Sequence, residues 1–332
     1  GLLIMVLWLS VIVMNLGGLQ LVFDEQGFRV QLEGEKPESK QHSTETLSLT
    51  PDQLDTLYTQ RSVLGVLAIV LLSFGYARFI RVMREEVRNR ARLETEVKIA
   101  QDIQQSLIPS TTFQNTWCEI AGMTSSATEV AGDYFDIVPL SDHQLVIAIA
   151  DVAGHGVGSG ILSAMTKSAL RSQLKHDTSP AKVLENLNQT IYQVSQRNMF
   201  VTFAYLLLDE PRHTATYATA GHPPLVFRSN AEQRCLQLRT SNPALGLQQG
   251  SQFMEAFVSF SSGDSFILYT DGIIEAVNTK GEEFGIDRLQ DQIREQQNCT
   301  GNELCSRIVD SVRHYTSSDA LKDDVTVVCV KL

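Results

Sequence analysis

The chain has 332 residues, 43% hydrophobic and 20% charged, with a formal net charge of -11 at pH 7. That length holds one large domain or two modest ones with appendages, and the composition is ordinary for a globular protein. The acidic balance argues against nucleic acid as a partner, because phosphate backbones select basic surfaces. It suits either a plain solvated acidic surface or carboxylates gathered around metal.

Residues 1–23 carry no charged side chain and are long enough to cross about 30 Å of hydrocarbon as a helix. A signal-peptide core is the alternative, but the run exceeds a usual apolar core and no small-residue cleavage site follows it. A first transmembrane helix is therefore expected over 1–23. The chain begins at Gly1 instead of Met, which implies residues upstream. Residues 24–60 are acid-rich and polar, and are expected to form an extracytoplasmic loop, a sensor or a plain connector. A second transmembrane helix is expected over 61–82, with Arg61 and Arg78 placed to snorkel from its ends. Arg78, Arg81, Arg84, Arg88, Arg90 and Arg92 then outnumber Glu85 and Glu86. The positive-inside rule places everything from Arg78 onward in the cytosol, so the expected location is an inner (cytoplasmic) membrane with two spans.

Residues 83–109 read as a cytosolic linker helix. They hold no Gly and no Pro before Pro109, which stops the helix. Leu93, Val97, Ala100, Gln104 and Leu107 recur at alternating four- and three-residue steps. That stripe fits a short coiled coil joining a homodimer, or equally a helix packed on its own domain.

From 110 to 332 the chain reads as globular. Apolar, β-rich runs occur at 144–150, 200–208, 214–219, 265–270 and 325–330. Helical patterns occur at about 158–175, 180–197 and 301–315, the second opened by Ser179-Pro180. Two helices in succession between strands are not a regular βαβ alternation, so the fold class expected is α+β with a largely antiparallel sheet. Cys118, Cys235, Cys299, Cys305 and Cys329 form no C-x-x-C pair and no zinc-ligand spacing. They are expected to be reduced, mostly buried thiols of a cytosolic domain.

The residues able to carry chemistry are aspartates at strand ends and turns. Asp133 lies in EVAGDYFD (129–136), Asp151 ends QLVIAIAD, Asp271 ends FILYTD before Gly272, and Asp323-Asp324 precede the last strand. A strand fixes such a carboxylate while an adjoining Gly leaves room for water, carbonyl or substrate. Each alone reads more readily as a turn. Together, with no soft-ligand cluster, they suit Mg²⁺ or Mn²⁺. The stretch Gly154–Gly160 (GHGVGSG) follows a strand and opens a helix, but its alternating glycines match neither G-x-G-x-x-G nor a P-loop. His155, near Asp151, is a candidate acid or ligand; His222, in the turn AGHPP, reads as structural.

In chain order the motifs EVAGDYFD (129–136), ADVAGHGVGSG (150–160), MFVTFAYLLLD (199–209), ATAGHPPLVF (218–227), ALGL (244–247), GDSFILYTDGIIEA (263–276) and DDVTVVCV (323–330) resemble the SpoIIE-like branch of the PPM metal-dependent Ser/Thr phosphatases. The segment IAQDIQQSLIP (99–109) is similar to the one preceding that domain, so the resemblance spans roughly 95–332. It implies a four-layer α-β-β-α sandwich of two antiparallel sheets flanked by helices, with metals at one end. It implies that Asp133, Asp151, the backbone carbonyl of Val152, Asp271 and Asp323 hold two divalent cations, Mn²⁺ or Mg²⁺. Asp323 is preferred to Asp324 as the first of the pair, and Asp136 is expected nearby without touching metal. The catalytic water would be held through Asp133, Asp151 and Asp271. The implied activity is phosphoserine/phosphothreonine protein phosphatase, with a phosphorylated regulatory protein such as an anti-sigma-factor antagonist as substrate. A degenerate, non-catalytic signalling module is the alternative, and the intact aspartates speak against it. The sequence departs at Ala131, where the family often has Gly, and at Ala153, where it often has Ser. No upstream phosphate-binding Arg is matched.

Overall fold

The structure is a computed structural model, and it describes residues 19–24, 27–32, 51–107, 111–127, 130–154, 156–195, 199–295, 299–317 and 321–332. Near the start, β1 (Leu19–Asp24) and β2 (Gly27–Leu32) pair as an antiparallel hairpin. Residues 19–23, expected at the end of the first span, are extended and not helical; the remainder of that span, 1–18, lies outside the described residues. The run LQLVFD followed two residues later by GFRVQL offers ladder partners that an isolated helix would not use.

The second expected span and the linker are one continuous helix, α1 (Pro51–Leu107). It begins ten residues before the expected boundary, Pro51 sitting at its first position, where a missing N–H costs nothing. Among the described residues one stretch, Tyr58–Arg92, is long and apolar enough to cross a membrane. Its side chains, such as Phe74 and Leu71, are exposed. The side chains of Leu93, Val97, Ala100, Gln104 and Leu107 lie outside the described residues.

The rest is built on two antiparallel sheets. Strands β3 (Thr112–Gln114), β4 (Glu119–Ser125), β9 (Leu225–Ser229), β10 (Arg234–Leu238), β12 (Ser265–Tyr269) and β13 (Val325–Lys331) form one, in the order β10-β9-β12-β13-β4-β3. Strands β5 (Tyr134–Pro139), β6 (Gln144–Val152), β7 (Val201–Asp209), β8 (Thr214–Ala220) and β11 (Ala256–Ser259) form the other, in the order β11-β8-β7-β6-β5. Helices α2 (Val157–Gln173) and α3 (Pro180–Val194) cover the five-stranded sheet; α5 (Gly285–Glu295) and α6 (Gly301–Thr316) cover the six-stranded one; α4 (Asp271–Ile274) is a single turn after β12.

The side-chain alternation of a strand explains the layering. On β6, Ile147 and Ile149 enter the core between the sheets, while Val146, Ala148 and Ala150 face α2 and α3. On β13, Val328 and Val330 enter that same central core, while Val327 and Cys329 face α5 and α6. A strand buried on both faces must be apolar throughout, which is why these runs read as continuous. Fully burying one such Ile or Val contributes about 1.5–3 kcal/mol.

Candidate active site

Five acidic residues meet at one end of the sandwich, carried there by four chain segments. Asp133 precedes β5, Asp151 is the next-to-last residue of β6, Asp271 opens α4 one residue after β12, and Asp323-Asp324 lead into β13. Their mutual influence shows the convergence. Burial pushes the Asp133 carboxyl well above the usual range, and the charge of Asp151 pushes it further. Burial, then the charges of Asp271, Asp323 and Asp324, raise Asp151 to about 7. Burial and Asp323 raise Asp271. Carboxylates arranged to repel one another in a semi-buried pocket are a costly arrangement that favours a cation or a proton.

Two glycines permit the approach. A Cβ on Gly132 would stand 3.1 Å from the Val152 carbonyl oxygen and 3.7 Å from Asp151 Oδ1. The carbonyl and the carboxylate therefore border one small space, which the missing side chain leaves open. A Cβ on Gly272 would run into the Asp324 carbonyl, so only glycine lets α4 pack on the Asp323-Asp324 turn.

The neighbouring polar groups hold these acids in place. Thr270 Oγ1 donates to Asp133 Oδ2 at 2.8 Å and accepts from the Thr326 N–H at 3.0 Å. Thr270 and Thr326 are fully buried, and both hydroxyls counter the upward shift of Asp133. Asp324 spends both oxygens on backbone, accepting from Ala127 N at 2.7 Å and Gly132 N at 2.6 Å. Asp323 is exposed and, among the described residues, accepts from Asp324 N alone, at 2.8 Å. The division of labour within the pair is thus physical: Asp324 clamps the 127–132 loop, and Asp323 has oxygens to spare.

Asp136 lies outside this group. It is fully buried and paired with Arg171 of α2, Nε to Oδ2 at 2.7 Å and Nη2 to Oδ1 at 2.6 Å. His222 is buried and neutral, its imidazole lowered to about 3 by desolvation. Its Nδ1 lies 2.9 Å from Thr202 Oγ1, and Thr202 is the cross-strand partner of Asp151. His222 therefore braces β7 beneath the site, which agrees with its structural reading. His155 lies outside the described residues.

As donors, these groups are hard oxygens only, which suits Mg²⁺ or Mn²⁺ and excludes a zinc-type thiolate or imidazole set. Among the described residues no group of three or more His, Cys, Asp or Glu side chains is gathered closely enough to hold a metal ion by side chains alone. A Mg²⁺-type ion fits such a site, because it keeps several waters and takes only one or two carboxylates plus a carbonyl. Sequence reasoning missed Gly132, Thr270, Thr326 and the role of Asp324. Thr270 was recognisable as a hydroxyl beside Asp271 in the motif; the others depend on which loops meet.

Known proteins are similar to this chain in sequence and in fold. Phosphoserine phosphatase RsbU of Bacillus subtilis (strain 168) is 28% identical over 272 residues, 81% of this chain and 78% of RsbU. The SiaA-PP2C domain of Pseudomonas aeruginosa superposes with a TM-score of 0.64 at 19% identity, covering 73% of this chain and 98% of that domain. RsbX, solved in complex with magnesium, superposes with a TM-score of 0.53 at 19% identity over 67% of this chain and 98% of RsbX. These likenesses bear out the expected sandwich of two antiparallel sheets. The sequence model of Stage II sporulation protein E (SpoIIE) matches residues 141–332, more than half of the chain, and the chain belongs to that family.

Proposed function

We propose that this chain is a membrane-anchored, divalent-metal-dependent phosphoserine/phosphothreonine protein phosphatase. The single observation that carries the reading is the convergence at one end of the sandwich of Asp133, Asp151 and Asp271, whose carboxyls are raised by burial and by neighbouring carboxylates, with Asp323 among the charges acting on Asp151 and Asp271. Asp133, Asp151, the Val152 carbonyl, Asp271 and Asp323 would hold two divalent ions, Mn²⁺ or Mg²⁺. Bound there, such ions supply Lewis acidity toward the phosphate and lower the pKa of a coordinated water.

The chain's own groups do the positioning. Thr270 holds the Asp133 carboxylate in one rotamer, and Asp324 fixes the loop bearing Gly132. His222 ties the strand opposite Asp151 without adding a proton that would compete with metal. Preorganised groups of this kind cost no reorganisation as charge develops on the transferred phosphoryl group.

The substrate we propose is a phosphorylated regulatory protein of the anti-sigma-factor antagonist class, in keeping with the phosphoserine phosphatase named above. Tyr58–Arg92 would be the anchor. Its arginine-rich C-terminal end places residues 110–332 in the cytosol by the positive-inside rule. The test is phosphate release from a phosphoserine-bearing antagonist protein by the full chain in detergent with Mn²⁺, beside Asp151→Asn. Metal-dependent release, lost in the variant, is expected. Release that survives EDTA, or its absence on every phosphoprotein tried, would overturn the proposal.

A further inference from the structure

A pocket of about 280 Å³ opens beside the acidic end, lined by Gly272, Glu275, Ala276, Val277, Thr316, Leu321, Lys322 and Asp323. It shares Gly272 and Asp323 with the site itself and so adjoins it. Its wall is apolar where Ala276, Val277 and Leu321 are half-buried, and it is charged at Lys322 and Glu275. Lys322 is exposed, and no ion pair among the described residues uses it. Lys322 is the one cation of this lining, which also holds the carboxylates of Glu275 and Asp323, and its ammonium is free to donate to an anionic ligand.

Resting on the phosphatase reading, we propose that this pocket binds the segment of the protein substrate that carries the phosphorylated residue. The Lys322 ammonium takes a phosphate oxygen. An apolar side chain next to the phosphoserine lies against Ala276, Val277 and Leu321. Glu275 at the mouth excludes an acidic residue at that flanking position. Lys322 thereby supplies the phosphate-binding cation that the sequence offers no upstream arginine to provide.

The experiment measures binding and turnover separately on the full chain. Fluorescence anisotropy with Mn²⁺ follows two labelled phosphoserine peptides, one with Leu and one with Asp beside the phosphoserine. Turnover is followed on the same peptides and on p-nitrophenyl phosphate. The Leu peptide is expected to bind at least about tenfold more tightly than the Asp peptide, the size of one well-placed charged or apolar contact. Lys322→Ala is expected to weaken Leu-peptide binding by about tenfold, with Lys322→Arg restoring most of it. Leu321→Ser is expected to weaken binding of the Leu peptide while leaving turnover of p-nitrophenyl phosphate unchanged. Equal binding of both peptides, with Lys322→Ala and Leu321→Ser indistinguishable from wild type, overturns the pocket while metal-dependent turnover leaves the phosphatase reading standing. Selective binding without turnover of any substrate supports the pocket and overturns the phosphatase reading.

Discussion

Asp151→Asn is predicted to stabilise the metal-free protein while abolishing its response to Mn²⁺. In the folded state the Asp151 carboxyl is raised from 3.8 to about 7, first by burial and then by Asp271, Asp323 and Asp324. A raised carboxyl means that folding favours the protonated form. The stability it contributes is fully present below pH 3.8 and is lost as the pH rises through about 7. A shift of roughly 3 units corresponds to a ceiling of about 4 kcal/mol at pH 8. Partial solvent access and the amide's poorer match to Asp133 reduce the expected gain to about 1–3 kcal/mol. For a domain of this size that is about 2–4 °C in Tm for each kcal/mol. The assay is thermal unfolding in EDTA at pH 4.5 and pH 8, then with Mn²⁺ at pH 8. The variant should gain little at pH 4.5 and most at pH 8, and Mn²⁺ should raise the Tm of wild type alone. A variant less stable than wild type at pH 8 in EDTA, or an advantage independent of pH, refutes the claim that these acids repel one another in the folded protein.

Three further outcomes follow from the same geometry. Gly132→Ala places a methyl group against the Val152 carbonyl and Asp151 Oδ1; calorimetric titration should show Mn²⁺ affinity falling by about tenfold, with stability lowered by no more than about 1–2 kcal/mol. Thr270→Val removes the donor to Asp133 and the acceptor for the Thr326 N–H; urea unfolding should register a loss of about 1–3 kcal/mol, and the pH needed for half-maximal Mn²⁺ binding should rise. Asp323→Asn and Asp324→Asn should separate cleanly: the first weakens Mn²⁺ binding with little change in Tm, whereas the second costs about 1–3 kcal/mol because one buried N–H of the 127–132 loop loses its acceptor. Equal effects of the two substitutions on both readouts would contradict the division drawn between them.

Much of the domain was legible because its central strands are apolar on both faces. The run 144–150 could only be a buried strand, and β6 spans Gln144–Val152. The second helix was legible from Ser179-Pro180, and α3 starts at Pro180. Some strands that escaped notice are short and at the sheet margins, such as β3 and β11, where half-exposed residues blur the alternation; β4 and β9, inside the six-stranded sheet, escaped it as well. Helix α5 was missed because its sequence GIDRLQDQIRE is mostly polar and buries only Leu289, Gln290 and Ile293. The membrane-proximal reading erred over 19–23 because an uncharged apolar run supports a helix or a hairpin, and a strand partner at 27–32 decides between them. It also split α1 in two, although nothing between 61 and 107 breaks a helix. The candidate ligands were legible as aspartates at strand ends. Their supports were not, because the contact between Asp324 and Gly132 joins residues 192 positions apart.

The central claim is that four distant aspartates and one backbone carbonyl hold divalent ions at one end of the sandwich. Anomalous diffraction from a crystal of the protein soaked in Mn²⁺ tests it directly. The account predicts two manganese peaks bounded by Asp133, Asp151, the Val152 carbonyl, Asp271 and Asp323. Manganese bound elsewhere, with none among these five groups, contradicts it.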